Sequence, residues 1–140
     1  MRSWPVIIGA VLVAVVASAP PAVAVRGASW VQAPLNDQKA VVKVMNADAV
    51  KRGADQHGLG CYSIWALKGH RDLVTVNFKP NVSPAACGNT SGFGIQVFRK
   101  VGGKWTRVAT PTGPAGSACR FVGKPSAATK RLVISSGVCR

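Results

Sequence analysis

Between positions 37 and 52, the apolar residues Val41, Val42, Val44, Met45, Ala49 and Val50 recur with a period of about 3.6 residues. This pattern predicts an amphipathic helix over residues 37–52. Asn36 reads as its N-cap, with Leu35 before it as the apolar half of a staple. Asp37 falls in the first turn and Lys51 and Arg52 in the last, which suits the helix dipole. Gly53 is the expected stop; a further turn over residues 54–57, ended by Gly58, is the alternative.

The period then changes from helical to alternating. Residues 59–67 hold Cys61, Tyr62, Ile64 and Trp65 and read as a strand, and residues 68–71 read as a turn. Over residues 72–79, Val74, Val76 and Phe78 face one way and Thr75 and Asn77 the other. Residues 80–92 form a loop rich in Pro, Asn, Ser and Gly. Residues 93–100 alternate again, with Phe93, Ile95 and Val97 on one face. Gly102-Gly103 makes a hairpin turn, because paired glycines accept positive φ, and residues 105–109 return as a strand. A Pro/Gly loop over 110–117 precedes a final unit from Cys119 to Cys139, in which Pro125 opens a short helix over residues 126–133. The predicted fold class is therefore α+β: one long N-terminal helix packed on a curved antiparallel sheet of about four strands, with a short C-terminal helix.

The N-terminus has a different pattern. Arg2 precedes an apolar run from Val6 to Ala17, then Ser18, Ala19, Pro20 and Pro21, and Ala22-Val23-Ala24 fits a small-x-small cleavage site. Residues 1–24 read as a signal peptide cut after Ala24, residues 25–34 as a lead-in, and residues 35–140 as a single domain. The competing reading is a retained anchor. A helix from Trp4 to Ala19 would have about 16 residues and span roughly 24 Å. That falls short of a hydrocarbon core roughly 30 Å thick, and the proline pair stops it from lengthening. No stable membrane span is expected once the signal is removed. The protein is expected outside the cell or on its envelope.

Export puts the four cysteines in an oxidising compartment, where an even count reads as two disulfides. Three pairings exist. Cys61–Cys87 and Cys119–Cys139 are favoured because each is local and brackets one structural unit. The cysteines show no CxxC spacing, and His57 and His70 are not spaced as a ligand pair, so neither a metal nor another cofactor is expected.

Charge narrows the partners. Eighteen Lys and Arg face four acids, all aspartates, for a formal charge of +14; loss of Arg2 with the leader gives +13. Such a field attracts anionic partners, among them acidic polymers, envelope surfaces and nucleic acid.

One set of residues resembles a known group. Phe98-Arg99-Lys100-Val101-Gly102-Gly103-Lys104-Trp105, followed by Cys119, Pro125 and Cys139, is similar to the small secreted domains common in actinobacteria. These run helix, strands, a Gly-Gly-x-Trp hairpin and a C-terminal Cys…Pro…Cys. The resemblance covers residues 35–140 and implies the same fold, export and the Cys119–Cys139 pairing. It brings no established activity and no catalytic residue. The helix-plus-sheet order also resembles cystatin-like domains, without a cystatin inhibitory motif.

Catalytic constellations are sparse. Glycoside hydrolysis needs two suitably placed carboxyl groups, and Asp37 and Asp48 lie on a solvated helix pattern. No GxSxG motif supports a Ser–His–Asp triad. Oxidised cysteines are not nucleophiles. A nuclease is the best enzyme alternative, with His57 and His70 as general acid and base and Lys68, Arg71 or Lys79 stabilising the transition state. The leading expectation is binding without catalysis. Arg99, Lys100, Lys104 and Arg107 lie on a hairpin that also carries Phe98 and Trp105, and cations beside exposed aromatics suit phosphate contact with stacking. Charges protecting a hairpin edge give the same pattern. Lys130, Arg131 and Arg140 form a second basic group near the C-terminus. A third class is an inhibitor or partner of another secreted protein, presenting residues 80–92.

Overall fold

Six strands, each antiparallel to the next in chain order, form one meandering sheet. The computed structural model describes residues 30–79, 82–88 and 94–139. The expected signal peptide with its cleavage point, Phe93, Arg140 and parts of the 80–92 loop lie outside the described residues. The strands are β1 (Trp30–Gln32), β2 (Tyr62–Leu67), β3 (His70–Phe78), β4 (Gln96–Val101), β5 (Lys104–Thr112) and β6 (Ala118–Phe121). The helices are α1 (Leu35–Lys51), α2 (Pro84–Cys87) and α3 (Ala127–Ser135). The α+β class holds, with six strands in place of the four expected.

The two unexpected strands are short edge strands. β1 pairs Trp30 with Leu67 and Gln32 with Trp65. β6 pairs Thr110 with Arg120 and Pro111 with Cys119. Three or four residues are too few for alternation to register; their conformation comes from the neighbour they bond to.

Two helix starts also differ from expectation. Asn36 is not the cap of α1. The Gln38 amide donates to the Pro34 carbonyl at 3.0 Å, so the first turn closes around Pro34 and the helix begins at Leu35. The Gln38 side chain donates to the Ala33 carbonyl at 2.6 Å. At the other end Gly53, with φ of 65°, stops the helix as expected. The Ala54 amide reaches the Ala49 carbonyl and the Gly53 amide the Val50 carbonyl, the two bonds of a Schellman motif. No further turn follows. α3 starts one residue later than expected, because the Ser126 hydroxyl accepts from the Thr129 amide at 3.2 Å and acts as its cap. Pro125 stands just outside. α2, inside the predicted loop, places proline at its first position, where a missing N–H costs nothing.

Period-2 alternation gives the sheet two apolar faces, and both are covered. On one face Val41, Val42 and Met45 of α1 pack against Tyr62, Ile64, Ala66, Val74, Val76, Phe98 and Trp105. On the other, Val133 of α3 packs with Leu67, Leu73, Val97, Val108 and Ala109. Each face has one disulfide. Cys61–Cys87 belongs to the α1 cluster and Cys119–Cys139 to the α3 cluster, with Cα separations of 5.6 and 5.3 Å. Both pairings are those favoured from the sequence.

Candidate functional site

The hairpin expected to bind anions is built differently from its expectation. Gly102 and Gly103 both have positive φ and make the two-residue turn between β4 and β5. Phe98 and Trp105, however, are core residues: Trp105 is only 6% exposed and Phe98 2%. Neither offers a ring for stacking on an incoming base. The cause is strand parity, since both side chains fall on the α1 face and are covered by the helix.

Three of the four hairpin cations are taken by aspartates. Lys100 Nζ lies 3.3 Å from Asp37 Oδ1 and 5.7 Å from the centre of the Trp105 ring. It fastens the hairpin to the first turn of α1. Arg99 Nε lies 2.8 Å from Asp72 Oδ2, an ionic contact without hydrogen-bond alignment. Arg107 reaches Asp48 on α1 at 3.9 Å, and Asp48 also meets Arg52 at 3.2 Å. Lys104 is exposed. The hairpin cluster therefore ties sheet to helix, and Lys104 alone of the four faces solvent without an ion pair among the described residues.

The histidines are not brought together. His57 lies beside Tyr62 and Phe78, which pair with each other at one end of the β2–β3 hairpin. His70 pairs with Leu67 at the other end, with Lys68 in the adjoining turn. Five residues of strand, about 17 Å, separate the two positions. Lys68 and Arg71 are exposed beside His70 and remote from His57 in the same sense.

One concavity gathers residues that the sequence pattern does not link. An open groove of about 840 Å³ runs between the C-terminal half of α1 and the helix-side face of the sheet. Met45, Tyr62, Phe78, Phe98 and Trp105 contribute apolar surface to it, and Asp48, Lys51, Arg52, Asp55, His57 and Arg107 contribute charge or titratable groups. Two of the chain's four aspartates thus line one groove.

His57 is held firmly there. Its amide donates to Asn46 Oδ1 at 3.1 Å, and Asn46 Nδ2 donates to its carbonyl at 2.9 Å. Its ring meets Phe78 edge-on at 5.5 Å and Tyr62 at 6.4 Å, while Tyr62 and Phe78 stack at 4.9 Å. Gly88, just after the Cys61–Cys87 bridge, lets the ring approach closely: a Cβ there would sit 3.2 Å from His57 Cε1. Burial pushes the Tyr62 phenol above its ordinary range.

This arrangement can receive an anionic group on Lys51, with Arg52 and Arg107 shared with Asp48, and an apolar body against the ring cluster. It does not form an acid–base pair, since neither Asp48 nor Asp55 makes an ion pair with His57. Among the described residues, no three His, Cys, Asp or Glu gather as a metal site. Compared with known proteins, the chain matches no family model, no curated protein and no solved structure.

Proposed function

We propose that the protein is a secreted, non-enzymatic binding domain that docks on anionic envelope or extracellular material. The observation that carries this reading is how the charge is distributed. Asp37, Asp48 and Asp72 are all engaged by Lys100, Arg52, Arg107 and Arg99. Every other described Lys and Arg is exposed and makes no ion pair among the described residues. They occur on α1 (Lys39, Lys43, Lys51), around the β2–β3 hairpin (Lys68, Arg71, Lys79), at the β4–β5 turn (Lys104), and on β6, α3 and the segment between them (Arg120, Lys124, Lys130, Arg131). A surplus spread over both faces favours an extended polyanion over a single small anion.

Two disulfides fit an extracellular protein, and no helix among the described residues is long and apolar enough to cross a membrane. Export with cleavage after Ala24 is part of the proposal: the intact mass of secreted protein should begin at Val25, and a product retaining Met1 in membranes overturns it.

Binding is tested with polyglutamate and with vesicles of anionic or neutral lipid over a salt series. Affinity for the anionic probes should fall by about tenfold or more between roughly 0.05 and 0.5 M salt. Absent or salt-insensitive binding overturns the reading. The nuclease alternative calls for two histidines at one phosphate and draws no support from their placement. The inhibitor alternative rests on residues 80–92, part of which lies outside the described residues.

A further inference from the structure

Among the described residues, part of the α3-side face of the sheet lies outside the cluster that α3 covers. α3 is a short helix of nine residues. It covers Leu67, Leu73, Val97, Val108 and Ala109. Strand parity places Gln32, Ser63, Trp65, Thr75 and Asn77 on the same face, beyond the helix.

Trp65 stands out there at 46% exposure. It sits directly between Gln32 on β1 and Thr75 on β3, and Ser63 faces Asn77 in the adjacent row. Trp30, half-buried on the same face, pairs with Leu67 and is therefore a diagonal neighbour of Trp65, about 7–8 Å away along the backbone. A small recess of about 70 Å³ adjoins Trp65 at the end of β1; Gln32, Ser63 and Lys79 line it together with Gln38 of α1 and the α1-side residues Tyr62 and Ile64, so it bridges the two sides of the sheet there. Asn77 Oδ1 accepts from the Phe78 amide at 2.9 Å, which directs its Nδ2 to act as a donor.

The surroundings of the indole identify its partner's chemistry. A lipid or an apolar protein surface calls for contiguous apolar area, and here the exposed Trp65 indole, with half-buried Trp30 diagonal to it, is flanked by the amides and hydroxyls of Gln32, Ser63, Thr75 and Asn77, with Lys79 the charged group nearby. A sugar ring matches that combination. Its C–H face packs on an indole, and its hydroxyls exchange hydrogen bonds with amide and hydroxyl side chains that carry no competing charge. Lys79 at the recess is placed for a carboxylate or phosphate substituent.

We propose that this open face of β1–β3 is a glycan-binding platform, on which Trp65 stacks against a sugar ring of an acidic polysaccharide. The acidic character of the polymer rests on the charge-driven reading above; the sugar contact rests on Trp65 and its polar collar.

The test measures affinity for alginate, a polyuronate, and for polyglutamate at equal carboxylate concentration and salt, with wild-type, Trp65→Thr and Trp65→Phe chains. Threonine keeps the β-propensity of an exposed strand position. Wild-type protein should bind alginate more tightly than polyglutamate. Trp65→Thr should lose about tenfold in alginate affinity, as for other ring stacking, with polyglutamate unchanged, and Trp65→Phe should recover most of the loss. Gln32→Ala should reproduce a selective, smaller loss. Unchanged alginate binding in Trp65→Thr overturns the platform while leaving the charge reading intact. Equal loss of both polymers also overturns it, and failure of wild-type protein to bind either polymer overturns both.

Discussion

The Asn46 side chain and the His57 backbone bond to each other twice, at 2.9 and 3.1 Å, across eleven positions of sequence. Asn46 sits one helical turn after Val42, at the polar margin of the buried stripe, and its amide acts on His57 as a neighbouring strand would. Asn46→Ala removes both bonds from a half-buried site and should cost about 2 kcal/mol. It should also free His57 from the groove wall. Urea denaturation measures the first effect, and the His57 ring proton shifts in NMR report the second. A variant with wild-type stability and unchanged shifts contradicts this role.

The ion pair between Arg99 and Asp72 should matter more than that between Arg52 and Asp48. Arg99 is 20% exposed and lies against the sheet, whereas Arg52 is 59% exposed on a helix end. Asp72→Asn leaves a largely buried guanidinium without its counter-charge and should cost about 1 kcal/mol, already discounted for the exposure of Asp72. Arg52→Gln should cost less than about 0.5 kcal/mol. Shifts in the urea midpoint at constant m-value compare the two, and an equal or reversed order counts against the burial argument.

Much of this architecture was legible from period alone. Alternation located the strands that became β3 and β4, residue content and the Gly102-Gly103 turn pointed to β2 and β5, and Gly53 marked the end of α1. The edge strands were not legible because pairing, and not pattern, sets their conformation. The burial of the hairpin's aromatic rings was not legible for a different reason. The hairpin's cations and aromatics were judged by proximity in sequence, while parity sends Phe98 and Trp105 into the core. The same parity, applied to Tyr62, Ile64 and Ala66, would have set Trp65 on the opposite face. The groove was not legible at all, since Asn46, His57, Tyr62 and Gly88 meet only when the disulfide and the helix end come together.

Tyr62 is the only tyrosine in the chain, so the tyrosinate absorbance reports it alone. Burial raises its folded-state pKa above the usual 10.0. The unfolded chain therefore loses this proton first as pH rises. Below pH 10 the stabilising difference is fully present, and it falls away as pH climbs from there through the folded-state value. Alkaline titration of folded protein should show a single transition above pH 10, returning to about 10 in guanidinium. Tyr62→Phe should remove this part of the alkaline loss of stability. A folded-state transition at or below 10 refutes the effect of burial.

The two disulfides should stabilise separate faces. Their loops, separated by 26 and 20 residues, give about 3 kcal/mol each by the chain-entropy argument. Their structural consequences differ. Cys87 ends α2, a four-residue helix too short to stand alone, and Gly88 beside it supports the His57 ring. Replacing Cys61 and Cys87 with alanine should therefore raise amide exchange at residues 57–61 and 84–88 and loosen the groove. Replacing Cys119 and Cys139 with alanine should instead release β6 and α3, which the bridge joins, while β2 and β3 keep their protection. Non-reducing peptide mapping should recover Cys61 with Cys87 and Cys119 with Cys139. Exchange that rises equally on both faces in either variant would show that the bridges act on the whole fold and not on one face each.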